Sequence, residues 1–263
     1  MRRAERLRGE PPTRGGISPI SDVEVSRETR ARLEALAQEH ELPAGGSERL
    51  ARLLELVAAE PSAITTVRDP AAAVDLHVAD SLDGLRVGVV REGRTIADLG
   101  SGGGFPGLVL AVARPDARVA LVESVGRKVA FLRAAAGELG LGNVEVVQAR
   151  AESWPAGLAS QDVVTARALA ALPVLVEYAA PLLVEGGHLV AWKGRRDPAE
   201  EADGAAAASV LGLEVEDVVR MPPRPGADER HLHVFRKVAP TPAGYPRREG
   251  MARKRPLGVQ RTR

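Results

Sequence analysis

Five glycines and one proline fall within ten consecutive residues, DLGSGGGFPG, which run from Asp98 to Gly107. The residues before them, RTIA, are typical of a buried strand, so this stretch predicts the turn between a strand and a helix. Glycine lets a backbone approach a ligand closely, and the N–H groups at the start of the following helix can bind to it. We therefore expect a ligand to bind at this turn.

Two classes of cofactor suit the glycine-rich turn. Gly102, Gly104 and Gly107 match GxGxxG, the fingerprint of a dinucleotide site. Asp98, however, precedes the glycines in the order Asp-x-Gly-x-Gly-x-Gly, and we expect its carboxylate to face the cationic methionine end of S-adenosylmethionine. The acidic residue favours S-adenosylmethionine, and a dinucleotide remains the alternative.

The register of the glycines favours the same cofactor. A dinucleotide fingerprint begins where the strand ends, here at Gly100, and it then meets Phe105 where its third glycine should stand. Glu123, at the end of the next β-like run, can accept hydrogen bonds from both ribose hydroxyl groups of either cofactor. Glu123 is therefore a predicted cofactor ligand that does not discriminate between the two.

β-like runs alternate with helical stretches between residues 86 and 238. This alternation predicts a parallel sheet with helices on both faces. No helix separates the last two runs, so we expect them to form a hairpin at the sheet edge. Five parallel strands and a hairpin form the layout of a class I S-adenosylmethionine-dependent methyltransferase sheet, an α/β, Rossmann-like fold. The seven runs are TIADLG, RVALVES, NVEVVQA, DVVTARA, HLVAWKG, LEVEDVVRM and RHLHVFRKV.

Residues 21–85 predict an N-terminal helical segment packed on the methyltransferase domain. Ser47 is a candidate cap for one helix, and Asp69 followed by Pro70 predicts the start of another. Residues 1–20 are polar, basic and rich in proline and glycine, so we expect a disordered arm. Apolar residues recur at helical spacing most clearly at Leu50, Leu53, Leu54 and Val57.

The composition excludes several classes of protein. The chain of 263 residues has no cysteine, so it has no disulfide, no thiolate metal site and no cysteine nucleophile. Its net charge of +1 argues against a protein that coats nucleic acid. No apolar run reaches the roughly 20 residues that cross a bilayer, and no signal peptide is evident, so we expect a cytoplasmic protein without membrane contact.

Residues 239–263 form a basic tail that is rich in proline and glycine. Seven Arg or Lys residues lie between Arg247 and Arg263, against the single acidic residue Glu249. We expect the cations between Arg247 and Arg255 to bind phosphate groups. Two alternatives remain, namely a tail that is merely solvated and a tail that packs back over the sheet edge to shape a substrate pocket.

Several motifs, taken together and in order, resemble a known family. They are HVADSL, DLGSGGGFPGLVLA, LVESVGRKVAFL, ARAE, VVTARAL, GGHLVAWKG and YPRREGMARKRPLG. They resemble RsmG, also called GidB, the family of guanine-N7 methyltransferases of small-subunit rRNA. The segment PSAITTVRDP departs from the family's usual Trp-Asn and Asn-Leu-Thr and keeps only Thr65. The resemblance implies that the S-adenosylmethionine pocket is lined by Gly100, Phe105, Ala151, Glu152 and Arg167, with Ala151 and Glu152 at the adenine.

Two further residues are candidates for contact with the RNA substrate. Lys193 follows Trp192 at the end of the fifth predicted strand, where it can reach a phosphate or the guanine. His77 lies one helical turn before Asp80 in the motif HVADS, and a histidine that only packs the helix is an equal alternative there. For Lys128, at the start of a helix, we favour a solvated helix face.

The chain lacks the groups that other nucleic-acid methylations require. Methylation of cytosine C5 needs a cysteine adduct, and methylation of exocyclic amines usually comes with an Asn/Asp-Pro-Pro-aromatic turn; the sequence has neither. Guanine N7 carries a free lone pair and needs no general base, so we predict no catalytic side chain and no metal site. This absence is consistent with the resemblance.

The resemblance implies a methyltransferase that uses S-adenosylmethionine to modify N7 of one guanine in 16S rRNA, in the loop near the decoding centre. Its partner would be the small ribosomal subunit or an assembly intermediate, and we expect a monomer. Two alternatives stay open: a dinucleotide-dependent oxidoreductase on the same sheet, and a non-enzymatic ribosome-binding protein.

Overall fold

The computed structural model describes residues 24–258, and this part of the chain forms one seven-stranded sheet. The strands are β1 (Thr95–Leu99), β2 (Arg118–Glu123), β3 (Val144–Gln148), β4 (Gln161–Arg167), β5 (Leu183–Lys193), β6 (Leu213–Arg220) and β7 (His231–Lys237). Their spatial order is β3-β2-β1-β4-β5-β7-β6, in which the first five are parallel and the last two are antiparallel to their neighbours. The predicted parallel sheet and edge hairpin are both confirmed.

Helices cover both faces of this sheet, as the alternating sequence predicts. Because successive side chains of a strand point to opposite faces, the sheet separates two apolar cores. The helices are α1 (Arg27–Glu39), α2 (Gly46–Ala59), α3 (Pro70–Ala73), α4 (Asp80–Leu82), α5 (Gly88–Glu92), α6 (Gly107–Ala113), α7 (Gly126–Glu138), α8 (Leu172–Ala179), α9 (Pro198–Leu211) and α10 (Met251–Lys254). One core lies under α1, α2, α6 and α7, and the other lies under α8, α9 and α10.

The first two helices form an extension that packs on one face of the sheet through α6. The predicted cap at Ser47 is wrong. The residue before α2 is Gly45, with φ of 75° in the left-handed region, and Ser47 lies inside the helix. The chain enters the helix through a tight turn in which the Gly46 N–H donates to the Pro43 carbonyl. The left-handed φ of Gly45 in this turn makes a glycine necessary at position 45. The periodic apolar residues Leu50, Leu53, Leu54 and Val57 are all buried.

The third helical stretch begins as the sequence predicts. Asp69 accepts a hydrogen bond from the Ala72 N–H, and Pro70 occupies the first helical position. The stretch then widens into a π-helix over Val74–Ala79 before it continues as α4. A π-helical turn is rare and often carries functional side chains, and this one carries His77.

The chain beyond β7 returns to the molecule and packs against α8. Ala252 in α10 is buried in the second core, and Tyr245 and Leu257 pack against that core. Of the predicted tail, residues 239–258 are therefore folded onto the domain, whereas residues 259–263 and the predicted arm at residues 1–20 lie outside the described residues. Within residues 24–258, each helix is too short or too polar to span a membrane.

Candidate active site

The glycine-rich turn connects β1 to α6 at the carboxyl edge of the sheet, where open α/β folds bind ligands. Gly100 has φ of 70°, and a Cβ there would lie 2.7 Å from a methyl carbon of Leu169. A Cβ on Gly107 would lie 2.2 Å from Leu121 Cδ2. Both glycines are therefore required by the packing of the protein itself. In contrast, Cβ atoms on Gly102 and Gly103 would meet nothing closer than 3.6 Å, which is ordinary van der Waals contact, so close packing does not exclude a side chain there.

Asp98 is not a cavity residue, and the expectation that it faces the cofactor is wrong. Its carboxylate is buried beneath the turn, where it accepts hydrogen bonds from Thr165 Oγ1 at 2.9 Å and from the Gly107 N–H at 3.2 Å. Burial raises the pKa of this carboxyl to about 6, although these hydrogen bonds favour its charged form. Asp98 thus ties the turn to β4 and to the start of α6.

Glu123 ends β2 beside the turn, as predicted. One carboxylate oxygen accepts a hydrogen bond from the Gly102 N–H at 3.1 Å, and the other accepts one from the Val125 N–H at 2.8 Å. Each oxygen keeps a second lone pair, so the carboxylate can also accept two hydroxyl groups. The two remaining acceptor positions on the Glu123 carboxylate fit the two hydroxyl groups of a ribose.

Two adjoining cavities lie along the carboxyl edge, with volumes of about 300 Å³ and about 610 Å³. We call them the small and the large cavity. Gly100, Lys128 and Ala168 line both of them, so the glycine turn stands at their junction. The favoured interpretation of Lys128 as a solvated helix residue is therefore incomplete, because its half-buried side chain reaches this junction.

The small cavity contains the predicted adenosine end of the site. Glu123, Ala151 and Glu152 line it together with Gly100, and Tyr178 of α8 closes one side. Ala151 and Glu152 lie in a short 3-10 turn just beyond β3, which brings them beside the end of β2. The Glu123 carboxylate can accept the ribose hydroxyl groups and the Glu152 carboxylate can accept the adenine amino group, so the lining suits an adenosine.

The large cavity contains the other predicted residues, namely Phe105, Arg167, His77 and Lys193. The His77 ring stacks on the Phe105 ring with 4.5 Å between their centroids, and the Arg167 guanidinium lies 5.5 Å from the same ring. His77 Nε2 lies 2.8 Å from Thr65 Oγ1, so the one residue kept from the altered motif holds the histidine. The assignment of Phe105 and Arg167 to the cofactor, and of His77 and Lys193 to the substrate, stays a prediction.

Asp80 is a buried carboxylate that fixes two arginines of the large cavity. Arg167 donates to one of its oxygens at 2.8 Å and Arg230 to the other at 3.1 Å. The Asp80 carbonyl also accepts the Trp192 indole N–H at 2.8 Å. Because both carboxylate oxygens are paired, the single negative charge of Asp80 holds two guanidinium groups at the cavity wall and leaves a net positive charge there.

Lys193 lies at the mouth of the large cavity, where the sequence places it at the end of β5. Its Nζ lies 2.5 Å from Glu200 Oε1 in the first turn of α9. Sequence reasoning missed Glu200 and three cavity residues, Arg230, Tyr178 and Arg253. The motif YPRREGMARKRPLG contains Arg253, so its match to the family is the sequence signal that could have indicated Arg253 as a site residue.

The sequence pattern of one protein family, described as GidB, rRNA small subunit methyltransferase G, matches residues 47–232. The chain belongs to this family. Proteins named ribosomal RNA small subunit methyltransferase G are similar to it over most of their length. The protein from Rubrobacter xylanophilus is 44% identical over 196 residues, which are 72% of this chain and 75% of the relative. That from Deinococcus radiodurans is 42% identical over 215 residues, which are 80% and 85% of the two chains.

A solved structure supports the fold. The crystal structure of a SAM-dependent methyltransferase from Aquifex aeolicus superposes with a TM-score of 0.54 and 21% sequence identity, and it covers 68% of this chain and 99% of its own. The GidB-family chain thus has the predicted class I methyltransferase fold with an N-terminal helical extension. Membership also confirms the prediction of an S-adenosylmethionine-dependent rRNA methyltransferase and decides against the dinucleotide-dependent oxidoreductase.

Proposed function

We propose that this GidB-family enzyme methylates N7 of one guanine in 16S rRNA, in the loop near the decoding centre. The observation that carries this proposal is the lining of the large cavity. Among the described residues that line it, the charged side chains are Lys128, Arg167, Lys193 and Arg230, and none is acidic. A cavity without a carboxylate base suits a nucleophile that has no proton to lose, and guanine N7 is such a nucleophile.

His77 does not supply a general base in this cavity. Burial and the nearby Arg167 guanidinium lower the pKa of His77 to about 4, so the neutral ring is a poor proton acceptor at pH 7. Both ring nitrogens have partners: Nε2 lies 3.2 Å from the Val67 carbonyl, and Arg167 Nη2 donates to Nδ1 at 3.2 Å. We propose that His77 positions Phe105 and the 64–67 loop against the substrate base.

On the cofactor side, we propose that the small cavity holds the adenosine. Glu123 would accept the ribose hydroxyls, and Glu152 with the Ala151 N–H would bind the adenine. The methionine end would lie over Gly102 and Gly103, beside Phe105 and Arg167, in the part of the large cavity that these residues line. When bound, S-adenosylmethionine supplies an electrophilic methyl group for an in-line displacement.

On the substrate side, the guanine must leave its RNA context to reach the carboxyl edge of the sheet. Guanine presents O6 and N7 as acceptors on the same edge, and N7 must stay free to react. We propose that Arg230 or Lys193 donates to O6 or to the neighbouring phosphate. Both cations line the large cavity and are held there by Asp80 and Glu200.

The decisive experiment uses the purified full chain, S-adenosylmethionine and small ribosomal subunits from cells that lack the gene. We expect stoichiometric 7-methylguanosine at one position of 16S rRNA, located by nuclease digestion and mass spectrometry. Methyl groups on an exocyclic amine or on a ribose would overturn the N7 assignment. Tight binding of subunits without any methyl transfer would instead favour the non-enzymatic ribosome-binding protein.

We further propose that the enzyme acts as a cytoplasmic monomer. A ribosomal substrate is itself cytoplasmic, which supports that location. Light scattering coupled to gel filtration should give the mass of one chain, 27.7 kDa. A stable dimer mass at micromolar concentration would contradict the monomer.

A further inference from the structure

The folded part of the basic tail lies against the small cavity. We name residues 245–258 the C-terminal strap. We propose that the strap is a wall of the cofactor site, with Arg253 as a positioning residue, so that the enzyme needs the strap to bind its cofactor even without RNA. This inference rests on the proposed assignment of the small cavity to the adenosine.

A buried ion pair anchors the start of the strap. The Arg247 guanidinium binds both carboxylate oxygens of Glu177 in α8 and also donates to the Arg255 carbonyl at 2.9 Å. The Glu177 side chain is only 1% exposed, so Arg247 takes the place of water as the partner of its carboxylate. Removal of one member of a buried pair is strongly unfavourable, and Arg247 is therefore committed to the fold.

A second set of contacts joins the strap to the predicted adenine residues. The Gly250 N–H donates to Glu152 Oε1 at 3.0 Å, and Glu249 pairs with Arg150 at 3.2 Å and with the Ser153 hydroxyl. These contacts act on the 3-10 turn that carries Ala151 and Glu152. Because one Glu152 oxygen is held by the strap, the orientation of this carboxylate in the cavity depends on the strap.

Arg253 is the strap residue that reaches the cavity itself. Its Nη2 donates to the Leu169 carbonyl at 2.8 Å, and its side chain lines the small cavity beside Tyr178. Leu169 is also the residue that packs on Gly100. Arg253 thus links the strap, the loop after β4 and the glycine turn at one point.

The cations of the strap therefore face two ways. Arg247 and Arg253 bond to the domain, although Arg253 is itself exposed, whereas the exposed side chains of Arg248, Lys254 and Arg255 make no such bond within residues 24–258. A tail that served only RNA phosphates would leave cofactor affinity unchanged when its charges were removed. The inward contacts of Arg247 and Arg253 predict instead that cofactor affinity falls when either of these two charges, of the five in the strap, is removed.

The test measures the affinity of S-adenosylhomocysteine by titration calorimetry in the absence of RNA. Arg253→Met keeps the aliphatic stem and removes the guanidinium, and we expect its Kd to rise about fivefold or more. Lys254→Met changes the neighbouring exposed cation by the same chemistry and should stay within twofold of the unaltered chain. Equal Kd values for the two variants would overturn the proposal.

A second measurement covers a variant that loosens the whole strap without leaving a buried charge. The double variant Arg247→Met with Glu177→Leu should bind S-adenosylhomocysteine more weakly, while circular dichroism shows that the domain stays folded. Linkage is reciprocal, so the ligand should also slow trypsin cleavage within the strap of the unaltered chain. Unchanged affinity in the double variant together with unchanged cleavage would refute the strap as a wall of the site.

The outcomes separate this inference from the proposed function. If the unaltered chain does not bind S-adenosylhomocysteine, the assignment of the cofactor site fails. If it binds and the strap variants bind equally well, only the inference about the strap fails.

Discussion

At the scale of single residues, Glu123 supports the glycine turn and is also a predicted cofactor ligand. Its carboxylate holds the Gly102 N–H of the glycine turn and is the predicted acceptor for the ribose. In Glu123→Gln a neutral amide replaces charge-assisted bonds, so we expect a loss of about 1.5–3 kcal/mol in cofactor binding. Calorimetry with S-adenosylhomocysteine measures it, and RNA affinity should barely change.

Glu145→Gln provides the matched control, because it makes the same chemical change on the exposed side of β3. Its cofactor affinity should equal that of the unaltered chain. If Glu123→Gln binds as tightly as this control, Glu123 is not a cofactor ligand.

Asp98 predicts an unusual dependence of stability on pH. Burial raises its pKa in the folded chain from 3.8 to about 6, so the folded state binds the proton more tightly than the unfolded state. This carboxyl therefore stabilises the fold most at low pH and loses that contribution as pH rises through 6. Relative to Asp98→Asn, the unaltered chain should become less stable between pH 4 and pH 7, by on the order of 2 kcal/mol. Urea unfolding of both chains across this range measures the difference, and parallel stability curves would contradict the prediction.

The packing of the glycine turn changes what a substitution at Gly100 should do. From sequence alone, a valine there would only fill ligand space and leave the fold intact. The structure places its Cβ against Leu169 at a positive φ of 70°, so Gly100→Val should lower the free energy of unfolding as well as cofactor affinity. Gly102→Ala is a poor comparison because its φ is also positive. A Cβ on Gly103 would make only ordinary van der Waals contacts, at 3.6 Å and beyond, so Gly103→Ala should unfold like the unaltered chain. A melting temperature of Gly100→Val equal to that of Gly103→Ala would refute this expectation.

At the scale of elements, the start of α9 positions a substrate candidate. Asp197 caps the helix by accepting the Ala199 and Glu200 N–H groups at 2.9 Å and 3.3 Å, and Glu200 in turn holds Lys193. Asp197→Ala should cost about 1 kcal/mol in stability. By loosening Glu200, it should also raise the KM for the ribosomal substrate while cofactor affinity stays constant.

Asp203→Ala, further along the same helix, tests whether any loss is specific to the cap. We expect its KM to match the unaltered chain. A raised KM in both variants would mean that α9 as a whole, rather than its capped first turn, affects the substrate.

Local patterns predicted the elements because local forces determine them. The strands alternate with helices and the third helix begins at Asp69 and Pro70, as short-range spacing and capping require.

The pairings inside the site come from distant parts of the chain. Asp80 meets Arg230 across 150 positions, and Arg253 meets the Leu169 carbonyl across 84. No local pattern marks such a pair, so Arg230 and Arg253 were missed as cavity residues. Asp98 was misplaced because its partner Thr165 lies on another strand.

At the scale of the whole molecule, the nearly neutral chain presents its cations unevenly. Arg248, Lys254 and Arg255 are exposed on the strap, which lies beside the small cavity. If they bind rRNA phosphates, replacing all three by alanine should flatten the plot of log K against log salt by about 0.7–0.9 for each lost contact. Filter binding of 16S rRNA fragments across salt concentrations measures the slope. A slope that shifts by much less than one would mean that these cations are only solvated.

The position of the strap after the last strand has a consequence for the timing of synthesis. Gly250 contacts Glu152 across 98 positions, and the ribosome adds the strap only after all seven strands. A growing chain folds from its amino-terminal side, so the helical extension and the parallel strands can form before the strap exists. If the strap completes the cofactor site, a nascent chain cannot retain S-adenosylmethionine until the strap has been made. A ribosome-bound chain that already carries its folded sheet would therefore stay inactive until the strap has emerged.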